Sequence, residues 1–250
     1  MLDENAMKQI KLPWGAWYGD TKHMLSFPEH WKIDIFGRGF YESVSSTSLI
    51  DQLNLTQLLL TLKRAQRRFK KRALQIGIVT DDLTRPTPTS LILAPLLDIL
   101  HDHEIHIFIG SGSHRPFQLN DYVKKISPRA TSQCFLHHHA PYATADYYGT
   151  TSFGTPVYVN SLFMAMDIKL IIGTVIPHSS VGFGGGIKLI VPGLATLETI
   201  EAFHAKNSIR TGKFAQLNSP LRKELGEIEK LIPVDFSFNI ICNPDRSIAR

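Results

Sequence analysis

Cysteine is scarce in this sequence: Cys134 and Cys242 are the only two in 250 residues, and no CxxC pair or Cys/His finger spacing occurs. This scarcity argues against a disulfide framework and against a structural zinc site, and it is typical of a protein of the reducing cytoplasm. Long apolar runs are also lacking. Stretches such as 91–97 are broken by Pro95, and none approaches the roughly eighteen residues of a membrane helix. The first fifteen residues mix acids and bases without an apolar segment, so no signal peptide is predicted.

Basic residues exceed acidic ones only slightly, since 27 Lys and Arg against 22 Asp and Glu give a net charge of +5. Much of the excess lies within 63–72, at the end of a predicted helix, where cations suit the negative end of the helix dipole. We interpret this cluster as a solvated helix end, with a nucleic-acid or subunit patch as the alternative. With 43% hydrophobic and 20% charged residues, the composition excludes disorder and predicts one large or two small globular domains.

Apolar runs rich in Ile, Val and Leu alternate with helical periodicity along the chain. Because the predicted strands are continuously apolar, they should be buried on both faces. The pattern therefore predicts one α/β domain over 1–250, with a mainly parallel Rossmann-like sheet and helices on both faces. The predicted strands are 33–36, 74–79, 105–109, 134–137, 157–159, 168–175 and 236–243, and the predicted helices are 49–72, 91–103, 197–206 and 221–231.

Polar loops follow three of the predicted strands, where parallel sheets bind their ligands. The first loop, 80–86, contains Asp82, Thr84 and Arg85, which suit a ribose, a phosphate or a carboxylate. An Asx turn with a surface ion pair is the alternative. The second loop, 110–116, has glycines that would let the backbone approach a ligand, and it brings His114 as a group that titrates near neutrality. A loop histidine at the surface is the alternative there.

The third loop, 177–188, places four glycines in five positions before Lys188. Such a backbone exposes N–H groups that cradle an anion, with the lysine at the rim. A plain flexible loop is the alternative. The segment matches neither the Walker pattern nor the dinucleotide fingerprint, because Ile187 and Leu189 stand where glycines would be needed.

Histidines elsewhere are weaker candidates for a metal site. His204, sixteen residues after Lys188, falls in a helical pattern and is by base rate a packed residue. The run 137–139 is interpreted as largely structural, because adjacent strand residues point to opposite faces, although His138 could line the cleft.

The motifs DDLTRP, GSHRP and PHSSVGFGGGIK, followed by Pro192-Gly193 and by His204, together resemble the nickel-dependent lactate racemase family. The opening LPWG is similar to that family's amino-terminal strand and turn. The resemblance implies a cytoplasmic isomerase that racemises or epimerises 2-hydroxy acids by reversible hydride transfer to a nickel-pincer nucleotide, a nickel pyridinium-3,5-bisthiocarboxylic acid mononucleotide.

By position, the resemblance implies that His114 and His178 form the proton-transfer pair, one for each enantiomer. It implies that Lys188 is covalently linked to the cofactor and that His204 binds nickel together with cofactor sulfurs and a ring carbon. The remaining cofactor contacts it implies are Asp82, Leu83, Thr84, Arg85, Gly184, Gly185 and Gly186.

The partners implied are a small 2-hydroxy acid and a carboxyl-terminal domain, or a second chain, that closes the cleft. That domain is expected to be absent from this chain, whereas membrane and nucleic-acid partners are not expected. A non-catalytic domain that binds the nickel nucleotide, or a fragment that needs a second domain, is the alternative function. An α/β protein that binds phosphate or nucleic acid through 63–72 is a further one.

Overall fold

The computed structural model describes residues 7–13, 22–34, 42–45, 49, 51–205, 214–243 and 246–249. Its centre is a five-stranded, wholly parallel sheet with the strand order β11-β8-β3-β4-β5. These strands are β3 (Gln75–Asp81), β4 (Glu104–Gly110), β5 (Phe135–His137), β8 (Ile168–Thr174) and β11 (Phe236–Ile240). Strands β4 and β5 lie on one side of β3, and the later strands β8 and β11 lie on its other side. This is the doubly wound order. The predicted fold class is confirmed.

Helices pack on both faces of this sheet. They are α1 (Leu55–Phe69), α2 (Thr89–Ile99), α3 (Leu119–Ile126), α4 (Pro128–Gln133), α5 (Ser161–Met164), α6 (Leu197–Ala205) and α7 (Pro220–Leu231). Because successive strand residues face opposite ways, β3 contributes Ile76 and Ile78 to one apolar core and Val79 to the other. The first core contains α1, α2 and α3, and the second contains α5, α6 and α7.

Short antiparallel pairs complete the described elements. They are β1 (Met7–Pro13) with β2 (Lys22–Pro28), β6 (Ala145–Thr150) with β7 (Pro156–Asn160), and β9 (Pro177–His178) with β10 (Gly182–Phe183). Leu12 and Pro13 of the LPWG motif lie in β1, whereas Trp14 and Gly15 fall outside the described residues.

Several predicted boundaries are wrong. Ile33 and Asp34 belong to no strand, and residues 35 and 36 lie outside the described part of the chain. The predicted helix 49–72 is broken at Asn54, whose φ of 49° lies in the left-handed region, and α1 ends at Phe69. The predicted strand 157–159 is correct as a strand, but β7 pairs only with β6 among the strands described and so lies outside the parallel sheet. No helix in the described ranges is both long enough and apolar enough to span a bilayer.

The sheet places three loops at one edge. The carboxyl ends of β3, β4 and β8 are Asp81, Gly110 and Thr174, and the strand order reverses between β3 and β8. In open α/β sheets, ligands bind outside the strand carboxyl ends at such a reversal. The predicted chemistry-bearing loops therefore leave the sheet where a crevice is expected.

Candidate functional site

A single cleft lies at this edge, and all three predicted loops and helix α6 contribute to it. From the sequence-predicted set it contains Asp82, Arg85, His114, His178, Gly184, Gly185, Lys188 and His204. The other residues that line it are Asp81, Gly110, Ser111, Gly112, Ser113, Thr174, Leu189, Pro192, Gly193 and Ile200.

Asp82 organises the loop after β3. Its Oδ1 accepts hydrogen bonds from the Thr84 main-chain N–H at 2.9 Å and from the Thr84 hydroxyl, and its Oδ2 contacts Nδ1 of His114. Burial acts to raise the pKa of Asp82, but the hydrogen bonds from His114 and Thr84 outweigh it and hold the pKa below its ordinary value. Asp82 therefore forms the turn that was the alternative interpretation, and its carboxylate also contacts a histidine of the next loop.

His114 is more than half exposed, although its partner Asp82 is buried. An ionised carboxylate only accepts hydrogen bonds, so Nδ1 of His114 carries the proton in this pair. Nε2 is then the ring nitrogen with the free lone pair, which suits a base.

His178 has the opposite tautomer to His114. Its Nδ1 accepts a hydrogen bond from the Ser180 main-chain N–H at 3.1 Å, so the neutral ring carries its proton on Nε2. Burial lowers the pKa of His178 to about 4, and the positive charges of Lys188 and Arg85 add to the effect. His178 is therefore neutral throughout the physiological range.

Lys188 lies in a short 3₁₀ helix, Gly186–Leu189, that follows the glycines. Burial lowers its pKa to about 8, with a further contribution from Arg85 that Asp82 opposes. Within the described residues no hydrogen bond reaches its amine. The amine is thus partly unprotonated near neutral pH, which favours nucleophilic chemistry.

Two N–H groups of the glycine loop already donate hydrogen bonds to other groups of the protein. The Gly184 N–H donates to the Ile176 carbonyl at 2.8 Å, and the Gly186 N–H donates to Oδ1 of Asn239 on β11 at 3.0 Å. Gly185 has a φ of 84°, and a Cβ there would lie 3.0 Å from the Thr174 carbonyl oxygen. These contacts fix the shape of the loop, and its binding of an anion stays a prediction.

His204 lies near the carboxyl end of α6. Its Nδ1 donates to the Ile200 carbonyl at 2.9 Å, which leaves Nε2 as the free lone pair. Burial lowers the pKa of His204, and the charges of Lys188 and His114 act in the same direction against the bond to Ile200. A neutral imidazole whose second nitrogen is anchored in this way is the usual form of a metal ligand.

Some sequence candidates do not reach the cleft. Leu83 is buried, Thr84 supports Asp82, and Gly186 bonds to Asn239, so none of the three lines it. His138 is exposed and outside the cleft lining, which makes its alternative role as a lining residue wrong. No group of three or more His, Cys, Asp or Glu side chains in the described ranges could hold a metal ion by itself.

Four residues that the sequence did not single out also matter. Lys125 and Thr87 contact the carboxylate of Asp81 beneath the cleft. The hydroxyl of Thr174, at the end of β8, contacts the hydroxyl of Thr87 in the first loop. Asn239 accepts a hydrogen bond from the glycine loop. A lysine in a helix or a hydroxyl in a loop gives no sequence signal, because each acts through a partner that is distant in the chain.

The fold and the cleft together define a doubly wound α/β domain with a crevice that contains three imidazoles, a guanidinium, two carboxylates and a buried amine. A family profile described as the lactate racemase N-terminal domain matches residues 18–215. The chain therefore belongs to the lactate racemase N-terminal domain family.

Sequence comparison with curated proteins gives the same family. The chain is 28% identical to the lactate racemase of Thermoanaerobacterium thermosaccharolyticum and 26% identical to that of Lactiplantibacillus plantarum, in each case over 184 residues. These matches cover 69% of this chain but 43% of each relative, so the chain spans less than half the length of the curated relatives it matches.

Two solved structures share the fold. The lactate racemase apoprotein of T. thermosaccharolyticum superposes with a TM-score of 0.72 at 23% identity, covering 96% of this chain and 57% of that one. A protein from Thermotoga maritima superposes with a TM-score of 0.66 at 21% identity, covering 84% and 54%.

Proposed function

We propose that this chain is the cofactor-binding and proton-transfer domain of a nickel-dependent racemase or epimerase of lactate-like 2-hydroxy acids. The observation that carries the proposal is the convergence of His114, His178, Lys188 and His204 on one cleft from three separate segments, namely the second loop, the third loop and α6. Membership of the lactate racemase N-terminal domain family supports the same reaction class.

The residues of the cleft fit the nickel-pincer nucleotide. His204 would bind nickel through its free Nε2, and Lys188 would hold the organic part through an amide-type bond from its buried amine. Because the described residues offer no metal site of their own, the other nickel ligands would come from the nucleotide. When bound, the nucleotide supplies a reversible hydride acceptor.

Arg85 and the glycine loop suit the anionic groups. A planar guanidinium binds a phosphate or a carboxylate in a bidentate way, and Arg85 is half-buried at the cleft beside Gly184 and Gly185. Arg85 is one cause of the lowered pKa of both Lys188 and His178. An anionic ligand would offset the positive charge of Arg85 and of protonated Lys188.

The two histidines would handle the hydroxyl proton of the substrate. Nε2 of His114 accepts it, and Asp82 stabilises the imidazolium that forms, as a buried carboxylate does in other Asp-His pairs. His178 begins as a hydrogen-bond donor through Nε2. To accept a proton there, it must first move its own proton to Nδ1, which requires release of the Ser180 bond. Each histidine would serve one enantiomer.

A non-catalytic domain that binds the nickel nucleotide is the second candidate. The specific observation in its favour is the open cleft, in which the His114 side chain is 53% exposed. Hydride transfer benefits from a site that excludes water. A second domain or a second chain that covers the cleft would therefore be required for fast turnover.

The test is to produce the chain in cells that synthesise the nickel nucleotide, and to measure nickel content, intact mass and lactate racemisation. We expect near-stoichiometric nickel and a heavier species that disappears in Lys188→Ala. The exposed Lys124→Ala is the matched control and should keep the adduct. An equal adduct in Lys188→Ala would refute the covalent role, and nickel loading without racemisation, even with a covering domain supplied, would favour the second candidate.

A further inference from the structure

Helix α3 carries two buried charged side chains on one face. Asp121 is 7% exposed and Lys125 is fully buried, and a spacing of four residues places them one turn apart. Buried charges are costly unless they are paired and hydrogen-bonded. Both side chains find their partners in loops of the cleft, so this helix face contacts the candidate site from below.

Lys125 joins the beginning of the first loop to its end. Its Nζ donates to Oδ1 of Asp81 at 2.5 Å, to the Asp82 carbonyl at 3.3 Å and to the Thr87 carbonyl at 3.4 Å. The other carboxylate oxygen of Asp81 contacts the Thr87 hydroxyl and lies 3.5 Å from the Thr174 main-chain nitrogen. One buried ammonium thus fixes the segment that carries Asp82.

Asp121 fixes the second loop in the same manner. It accepts two hydrogen bonds from the Arg115 guanidinium, at 2.8 and 3.1 Å, and one from the Gln118 main-chain N–H at 2.9 Å. Arg115 directly follows His114 in the chain. The first turn of α3 therefore holds the side chain of the residue next to His114, whereas the last turn bonds to the main-chain carbonyl of Asp82.

The two fixed loops meet in the contact between Asp82 and Nδ1 of His114. Asp81 at the end of β3 and Arg115 in the second loop bond to α3, and their chain neighbours Asp82 and His114 line the cleft. A hydrogen bond weakens steeply when its donor or acceptor shifts by a fraction of an ångström or tilts. A shift of the first loop would therefore weaken the bond that holds the proton on Nδ1 of His114.

We propose that Lys125 is a positioning residue for catalysis: through Asp81 and two loop carbonyls it sets the Asp82–His114 hydrogen bond, which keeps Nε2 of His114 free to accept a proton. The catalytic consequence rests on the proposed racemase function, whereas the effect on the His114 tautomer does not. A purely structural ion pair would stabilise the fold without determining that tautomer.

The variant Asp81→Asn/Lys125→Met separates these two roles. Lys125→Met alone leaves the Asp81 carboxylate buried without its cation, which is strongly destabilising. Replacing both charges with neutral groups of similar size is often tolerated. The double variant also lacks the ammonium that joined the Asp82 and Thr87 carbonyls, so it should fold and yet hold the loop loosely. Lys124→Met removes an exposed charge from the same helix and is the matched control.

The first measurement is the tautomer of His114 in the chain without cofactor, read from long-range ¹H–¹⁵N spectra of histidine-labelled protein at about pH 8, where an ordinary imidazole is neutral. His114→Gln assigns the signal. We expect the Nδ1–H form in the wild type and in Lys124→Met, and a mixture with the Nε2–H form in the double variant. Circular dichroism and thermal melting establish that the double variant is folded.

The second measurement is racemisation by the cofactor-loaded enzyme. Misplaced groups cost roughly tenfold to a hundredfold in rate, and we expect a loss of that size in kcat for the double variant, with KM changed less. An unchanged His114 tautomer in the folded double variant would overturn the proposal. Unfolding of the double variant would also overturn it, because the pair would then act on the fold alone. If no form of the enzyme racemises, the proposed function fails while the tautomer result still decides the role of Lys125.

Discussion

The amine of Lys188 should be unusually reactive near neutral pH. Burial and the neighbouring Arg85 lower its pKa from the ordinary 10.5 to about 8. At pH 7 about one amine in ten is then unprotonated, against about one in three thousand for an ordinary lysine. The cleft thus provides about 300 times more free amine at this position.

Part of this gain is lost again, because a less basic nitrogen is a weaker nucleophile. If the dependence resembles that of thiolates, with a slope of roughly 0.4 to 0.5, the 2.5-unit fall in pKa costs about thirteenfold. The net expectation is that Lys188 reacts about twentyfold faster at pH 7 than a solvent-exposed lysine of ordinary pKa. This excess is large enough to measure in a single protein sample.

Trace acetylation with acetic anhydride, followed by peptide mass spectrometry, measures it across a range of about pH 6 to 10. Lys124 in the same chain is the exposed reference. We expect the Lys188 profile to reach its midpoint near 8, and Arg85→Gln to move the midpoint upwards because one repelling cation is removed. A Lys188 that reacts no faster than Lys124 at pH 7, with a rate still rising at pH 10, would refute the reasoning.

Four further variants test other groups in the cleft. His204→Ala should lower nickel occupancy by roughly tenfold or more, measured by metal analysis, since the proposed nickel ligand is removed. His114→Ala and His178→Ala should each lower racemisation by about a hundredfold while nickel loading stays intact, and near-normal turnover in either would contradict the pairing. Hydrogen bonds hold the pKa of Asp82 low despite burial, so its stabilising contribution is lost as pH falls through that lowered value. Asp82→Asn should therefore flatten the decrease in unfolding free energy below about pH 4 in urea titrations.

The sheet could be predicted because its strands are buried on both faces. β8 is buried at every position and β3 at all but its first, so a continuous apolar run indicates each of them without any tertiary information. The hairpin of β1 and β2 gives no such signal, because most of its described side chains are exposed and its pattern is not alternating. Ile33 shows the limit of local pattern, because it lies in no strand and a strand also needs a partner strand.

The sequence pattern did not predict helix α3, and the reason concerns residues that contact the candidate site. Its buried face includes Asp121 and Lys125, so the sequence places charges where a packed helix normally has apolar side chains. Lys125 bonds to Asp81, 44 positions away, so no local pattern could indicate that contact, whereas Asp121 bonds to Arg115 only six positions away. The motif residues could be found from sequence, whereas the residues that orient them could not.

The glycines of the second loop have a physical reason beyond the one the sequence suggested. Gly110 and Gly112 line the cleft, as ligand approach requires, and they also pack against main chain: a Cβ on Gly110 would lie 2.6 Å from the Leu189 carbonyl oxygen, and the Gly112 N–H donates to the Gly193 carbonyl at 2.8 Å. A Cβ on Gly193 would lie 1.9 Å from the Leu189 oxygen. Because only glycine permits such close contact between backbones, the loop of His114 interlocks with the segment that follows Lys188. The relative position of the backbone segments that carry His114 and Lys188 is therefore set by main-chain packing, which resists change better than contacts between flexible side chains would.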